Sequence, residues 1–214
     1  MALITRIEPV SHIQHHPREN LTASSWYQLL DNVYPISDRE FDELWHMHPE
    51  SRDSIMMFGK SVTIPRYQKL YGHDVEYRYS GKNMVSAPVT NSVMATTLTW
   101  VNQYEPQHQH NGMLVNWYRD GSHYMGMHSD DERDLTRGAA IYSFSFGAER
   151  VFRISNKATG EKTDLLLRHG SLLIMGGAMQ QEFKHGLPAR AGCKTPRINF
   201  TIRSFTTQKQ PRQT

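Results

Sequence analysis

In the second half of the chain, apolar and polar positions alternate with a period of two, the spacing of half-buried strands; ahead of residue 105 apolar positions more often recur every three or four. From residue 113 the alternation comes in short runs separated by turns. It predicts strands near 113–119, 124–128, 139–146, 150–155, 162–168, 171–176, 183–188 and 196–206. Eight strands of that length suit a jelly-roll, whose two facing sheets bring distant residues into one mouth. Asn156-Lys-Ala-Thr-Gly160 reads as a hairpin tip. Upstream, Leu21, Trp26, Leu29, Leu30 and Val33 fit a helical stripe. Ser37-Asp-Arg-Glu40 is a capping box before Phe41, Leu44, Trp45 and His48, with Ile36 placed to staple against Phe41. Pro88 followed by Val93, Trp100, Val101 and Tyr104 predicts a longer helix over 88–104, covering one sheet. The expected architecture is mainly β with flanking helices: a helical brace at 1–50, the jelly-roll at 51–206 and a polar tail at 207–214 expected to be disordered.

Composition narrows this picture without changing it. The 214 residues fit one domain with a sizeable core. A net charge of +3 and a pI near 9.0 are compatible with a phosphate backbone as partner. Arg52, Lys60, Arg66, Lys69, Arg78 and Lys82 concentrate in one segment, where they are either a phosphate-facing patch or ordinary solvated loops. The single Cys193 leaves no intramolecular disulfide framework. With no signal peptide and no long apolar run, the expectation is a soluble intracellular monomer without a membrane partner, in a bacterial cytoplasm rather than a nucleus.

The chemistry concentrates in two places. His128 and Asp130 lie two apart, so an extended segment points both to one face. With His185, 55 residues beyond Asp130, they make two imidazoles and a carboxylate, which cover one face of an octahedral Fe(II) and leave room for a bidentate 2-oxo acid and dioxygen. Zinc could use the same three ligands, and twelve histidines will produce some His-x-Asp by chance. After Pro196, Arg197, Asn199, Thr201 and Arg203 alternate with Ile198, Phe200 and Ile202. Two guanidiniums, an amide and a hydroxyl on one face suit a small dicarboxylate, which Arg pairs bidentately. The alternative is a half-exposed strand whose arginines face water.

Asn116-Trp-Tyr118-Arg-Asp-Gly, His128-Ser-Asp130-Asp131-Glu132-Arg-Asp-Leu, Ile141-Tyr-Ser-Phe-Ser-Phe-Gly-Ala-Glu-Arg-Val-Phe, His169-Gly-Ser-Leu-Leu-Ile-Met, His185-Gly-Leu-Pro and Pro196-Arg-Ile-Asn-Phe-Thr-Ile-Arg together resemble the AlkB family of nucleic-acid dealkylating dioxygenases. The likeness covers about residues 52 to 206 and is strongest to the branch acting on double-stranded DNA. It implies Fe(II), with 2-oxoglutarate and dioxygen as cosubstrates, and a double-stranded β-helix. Position by position, His128, Asp130 and His185 match the iron ligands, and Asn116 and Tyr118 match residues that hydrogen-bond 2-oxoglutarate. Arg197 matches the residue pairing with its distal carboxylate. Arg203, helped by Asn199 and Asn116, matches the group near the metal-bound end, and Thr201 shares that row.

The implied activity is removal of methyl groups from bases such as 1-methyladenine or 3-methylcytosine, flipped out of DNA, or of RNA, with release of formaldehyde and succinate. Asp131 and Glu132 match acidic residues that meet the amino edge of the flipped base; a solvated acidic turn is the alternative. Ile64-Pro-Arg66 through Tyr71-Gly72, and Tyr77-Arg-Tyr79-Ser-Gly81, match the family's nucleotide-recognition lid. There Tyr79 would stack on the base, and Tyr71 or Tyr77 would either line its pocket or sit in a strand core. Phe58 stands where the duplex-repairing relatives carry an intercalating finger, although Ile55-Met-Met-Phe58 also suits a buried strand. A same-fold oxygenase acting on RNA, protein or a small molecule is the rival that the lid tyrosines and Phe58 oppose. A non-catalytic binding module is opposed by the complete ligand set. The chain departs from the family at Gln180-Gln-Glu-Phe-Lys184 and at Met175-Gly-Gly177, positions that bear on substrate preference.

Overall fold

The computed structural model describes residue 7 and residues 10–206 apart from positions 58, 74, 80 and 81, without the side chains of 57, 77–79, 82 and 83. The chain opens with α1 (Val10–Gln14), β1 (Glu19–Asn20), β2 (Ser25–Leu30) and α2 (Asp38–Trp45). Two hairpins, β3 (Ser54–Met57) with β4 (Lys60–Thr63) and, after β5 (Tyr67–Gly72), β6 (Glu76–Tyr79) with β7 (Lys82–Val85), precede α3 (Ser92–Tyr104). The remaining strands are β8 (Gly112–Tyr118), β9 (Met125–His128), β10 (Ile141–Gly147), β11 (Arg150–Asn156), β12 (Lys162–Leu167) and β13 (Ser171–Gly177). A turn of helix, α4 (Met179–Glu182), leads to β14 (Phe183–Leu187) and β15 (Arg197–Arg203).

All eight predicted strands are present, and they divide four and four between the sheets. The larger sheet runs β1-β2-β13-β10-β15-β8-β5 and the smaller β12-β11-β14-β9, all their pairings antiparallel: a jelly-roll extended at both edges of one sheet. Strand alternation sorts the side chains. Met113, Val115 and Trp117 of β8, Phe144 and Phe146 of β10 and Ile198, Phe200 and Ile202 of β15 join Leu44, Met94, Leu98 and Val101 of the helices in one apolar cluster. The opposite face looks toward the smaller sheet. There Phe152, Ile154, Leu165, Leu167, Leu173 and Met175 fill one end of the gap, leaving the other end to the polar row of β15.

The N-terminal region departs from the helical expectation. Ser25–Leu30 is a strand, paired along its length with β13 from Leu30↔Leu172 to Ser25↔Gly177. Leu30 and Trp26 pack toward the helices, Tyr27 and Leu29 toward the inter-sheet core. With both faces covered by apolar groups, the polar half of the alternation disappears and the remaining spacing imitates a helix. Trp26 lies over Gly176, where an added Cβ would come within 2.1 Å of the indole. Gln28 ties α1 down by donating to the carbonyls of Ile13 and His16 at 3.0 and 2.7 Å.

The capping box forms as predicted: the Glu40 amide donates to Ser37 Oγ at 3.3 Å and the Ser37 amide to Glu40 Oε2 at 2.7 Å. Trp117 Nε1 then fastens α2 to the sheet through the Leu44 carbonyl at 2.8 Å. Ser37→Ala should destabilise the protein by about 1 kcal/mol in denaturant unfolding; an unchanged midpoint would mean that packing alone holds α2. The long helix starts at Ser92, later than predicted, because Asn91 caps it by accepting from the amides of Val93 and Met94. Asn156 Oδ1 accepts from Ala158 and Thr159, and Gly160 turns the β11–β12 hairpin at φ +73. Among the described residues no helix is long and apolar enough to cross a membrane.

Candidate active site

His128 ends β9 directly opposite His185 on β14. Their rings lie 4.5 Å apart, and the loop after β9 brings back the Asp130 carboxylate, 3.5 Å from His128 Nε2 and 3.8 Å from His185 Nε2. One nitrogen or oxygen from each residue lies within 4.8 Å of the others, an arrangement that could hold a metal ion. The Gly126 carbonyl, 2.9 Å from His128 Nδ1, can only accept, so Nδ1 carries the proton and Nε2 keeps its lone pair for a metal. His185 stacks on Phe152 at 5.3 Å. Burial, together with nearby His128, depresses His185 to about 3, so it is a neutral ligand at ordinary pH. Burial alone would raise Asp130, but the Arg203 guanidinium at 2.8 Å, with both histidines, holds it well below the usual carboxylate range.

The polar row of β15 faces this triad across the gap. Arg197 is buried, its Nη2 donating to Ser145 Oγ at 2.9 Å, while Nε and Nη1 are buried without a partner. Burial lowers this guanidinium to about 10, although Tyr118 opposes the shift. A buried cation with half its donors free is costly unless an anion joins it, and the free atoms suit a carboxylate. Asn116, opposite Asn199 in the sheet, is fixed by Arg66 Nε donating to its Oδ1 at 2.8 Å, which leaves its Nδ2 buried and unpartnered. Tyr118, opposite Arg197, lines the same pocket. Asn199 and Thr201 line it too, but their bonds are made within the sheet. Asn199 donates to Ser143 Oγ and the Phe144 carbonyl and accepts from Thr201, so these two brace the row.

A sequence model of the 2OG-Fe(II) oxygenase superfamily matches residues 15–203. The DNA oxidative demethylase ALKBH2 of Mus musculus is 36% identical over 165 residues, covering 73% of this chain and 68% of the relative. Its Homo sapiens counterpart is 33% identical over 174 residues, with 73% and 62% covered. The chain belongs to the AlkB family. The alpha-ketoglutarate-dependent dioxygenase alkB homolog 3 of Bos taurus is 33% identical over 184 residues, 78% of this chain and 61% of the relative. The chain therefore spans from just over three-fifths to about two-thirds of these relatives' lengths. The solved structure of OsALKBH1 shares the fold, at a TM-score of 0.58 and 18% identity, covering 88% of this chain and 100% of that one. As an AlkB-family dioxygenase the protein works with Fe(II), 2-oxoglutarate and dioxygen. The His-Asp-His set and the half-free Arg197 fit the first two of these.

Not every residue expected in the AlkB site is there. Tyr71 is a core residue: alternation along β5 puts Tyr67 and Tyr71 on the helix-covered face and Arg66 and Gln68 on the pocket side. Tyr67–Gly72, read as part of the lid, pairs with β8 over its whole length and widens the larger sheet. Tyr77 and Tyr79 lie on β6, but their side chains are outside the described structure, as is Phe58. Of the acidic pair, Asp131 is exposed, whereas Glu132 turns inward to Arg203 Nη1 at 3.4 Å. Burial raises the Glu132 carboxyl while Arg203 opposes the shift. Arg66, counted among the basic lid residues, is buried in the pocket wall, where Gln68 Oε1 accepts from its Nη2 at 3.0 Å. Ser143 and Ser145 were legible as the small polar half of Ser-x-Ser in a strand. Gln180, marked in the sequence only as part of a departure from the family's pattern, accepts the Asp130 amide on Oε1 at 3.0 Å.

Proposed function

We propose that the protein removes methyl groups oxidatively from N-alkylated bases of DNA, such as 1-methyladenine and 3-methylcytosine, by direct reversal of the damage. The observation that carries this reading is the position of the triad, whose Asp130 and His185 are buried and whose His128 is half-buried. It lines one pocket with the half-free Arg197, and that pocket shares Asp130 and Arg203 with a neighbouring cleft of about 620 Å³ rimmed by Asp131 and Glu132. The names of the similar mouse and human proteins support the same substrate class.

In this reading His128, Asp130 and His185 hold Fe(II), and Arg197 takes the distal carboxylate of 2-oxoglutarate. Asn116 and Tyr118 hold its other end, with Asn199 and Thr201 keeping that wall rigid. Bound iron and 2-oxoglutarate supply, with dioxygen, an oxidant for the N-methyl carbon, whose hydroxylated product releases formaldehyde. The chain's own contribution is placement. Arg203 fixes the Asp130 carboxylate, and the apolar inter-sheet core keeps water from the far end of the pocket. The acidic rim faces the amino edge of a base that has left the stack, and a methyl that blocks Watson–Crick pairing lowers the cost of leaving it. The lid tyrosines Tyr77 and Tyr79 and the finger residue Phe58 would grip that base and the gap it leaves.

With Fe(II), ascorbate and 2-oxoglutarate, formaldehyde should be released from methylated DNA oligonucleotides. Single-stranded DNA, duplex DNA and RNA assayed in parallel rank the substrates. Iron-loaded protein that releases none from any of the three would overturn the reading.

A further inference from the structure

Beside the triad, two buried polar atoms of the same cleft have no partner. Gln180 uses Oε1 to accept the Asp130 amide at 3.0 Å, which fixes the sense of its amide and leaves Nε2 as the free donor, buried and unpartnered. Glu132 receives Arg203 on Oε1, and its Oε2 is likewise buried and unpartnered. Both side chains line the cleft that Asp130 and Arg203 also border. A donor and an acceptor left open in a buried site cost stability until a ligand offers the complementary pair.

The donor is held in place. Lys157 Nζ donates to the Gln180 carbonyl at 2.8 Å, and the hydroxyls of Thr22, Ser24 and Ser25 all donate to the Glu182 carboxylate at 2.6 Å. The short helix α4 is thus fastened to the N-terminal segment on one side and to the loop after β11 on the other. A preorganised donor discriminates better than a mobile one.

We propose that Gln180 is a specificity residue that favours N1-methylated adenine over N3-methylated cytosine: its Nε2 donates to adenine N7 while Glu132 Oε2 accepts from the N6 amino group. On adenine a donor and an acceptor stand side by side along that edge. On cytosine the amino group is flanked by a C–H, so the Gln180 donor would be buried unpaired. The inference rests on the base-demethylation reading above.

Gln180→Glu tests it, because the glutamate keeps an oxygen for the Asp130 amide and replaces the free donor with an acceptor. Turnover of 1-methyladenine and 3-methylcytosine is compared in single-stranded oligonucleotides differing only at the lesion. The ratio of kcat/KM, adenine over cytosine, should fall about tenfold in the variant, the effect of one lost hydrogen bond to a buried polar group. The added charge and any change in iron loading act on both substrates and cancel in the ratio. If the variant turns over neither, the ratio of the two Kd values, adenine over cytosine, measured with Fe(II) and 2-oxoglutarate in the absence of dioxygen, should rise by the same factor. A ratio within twofold of the unmodified protein's overturns the inference alone. Failure of the unmodified protein to act on either base overturns the demethylation reading and the inference with it.

Discussion

Asp130→Ala should abolish turnover on every substrate, by about a thousandfold or more, and should also lower the melting temperature of the metal-free protein. The first effect follows from its place as the only oxygen donor of the triad, within 4 Å of both imidazoles. The second follows from Arg203, which is 3% exposed and directs Nη2 at Asp130 Oδ1 over 2.8 Å. Truncating one partner of a buried ion pair strands the other, at a cost of about 3–5 kcal/mol. Glu132 at 3.4 Å recovers part of that. For a chain of this size each kcal/mol moves the midpoint by about 2–4 °C, so a fall of roughly 5–15 °C is expected. Asp130→Asn separates the two effects: its amide oxygen can still accept from Arg203, so most of the stability should return while turnover does not. Formaldehyde release, bound iron and a thermal melt decide the matter. An alanine variant that retains iron and turns over within tenfold of the parent would remove Asp130 from the metal site.

How much of this was legible in advance depends on which physical rule each residue obeys. Most of the jelly-roll strands could be read because one face meets a core and the other the pocket or solvent, so the sequence alternates; β13, with Leu172 and Ile174 in one core and Leu173 and Met175 in the other, is the exception. The triad could be read because chemistry restricts the residue types, and the antiparallel pairing of β9 with β14 supplied the proximity that 55 intervening residues conceal. Ser25–Leu30 failed because both its faces are apolar. Tyr71 stayed open between pocket and strand core because a one-residue change in register exchanges the faces of a strand, and register is set by β8, more than 40 residues away in the chain. Arg66 reads identically whether it is solvated or walled in; only the Asn116 and Gln68 side chains around it decide. Gln180 stood out only as a departure from the family's pattern; it sits in a four-residue helical turn with no periodicity to read, and its bond to the Asp130 amide is visible only in the fold.

Arg197→Met should raise the KM for 2-oxoglutarate by about a hundredfold or more, leave iron affinity unchanged, and make the ligand-free protein more stable. Loss of function and gain of stability share one cause. Arg197 is 2% exposed, it has a single hydrogen bond, to Ser145, and its Nε and Nη1 are left to a ligand. Charge-assisted hydrogen bonds contribute about 1.5–3 kcal/mol each, so losing two from a bound carboxylate accounts for the KM. In the ligand-free state the same guanidinium is a desolvated, half-paired cation, further disfavoured by Arg150. An apolar side chain of similar length removes that penalty, and comparable replacements are worth about 1–4 kcal/mol. The thermal midpoint should accordingly rise by several degrees, while the additional rise that 2-oxoglutarate gives the parent by mass action should vanish. Arg197→Lys keeps the charge but loses the planar fork, so its KM should fall between the two. Iron affinity is the internal control, because Arg197 contacts none of the three ligands. A methionine variant with the parent's KM, or one that melts lower without ligand, would show that Arg197 is a satisfied structural cation and that the dicarboxylate binds elsewhere.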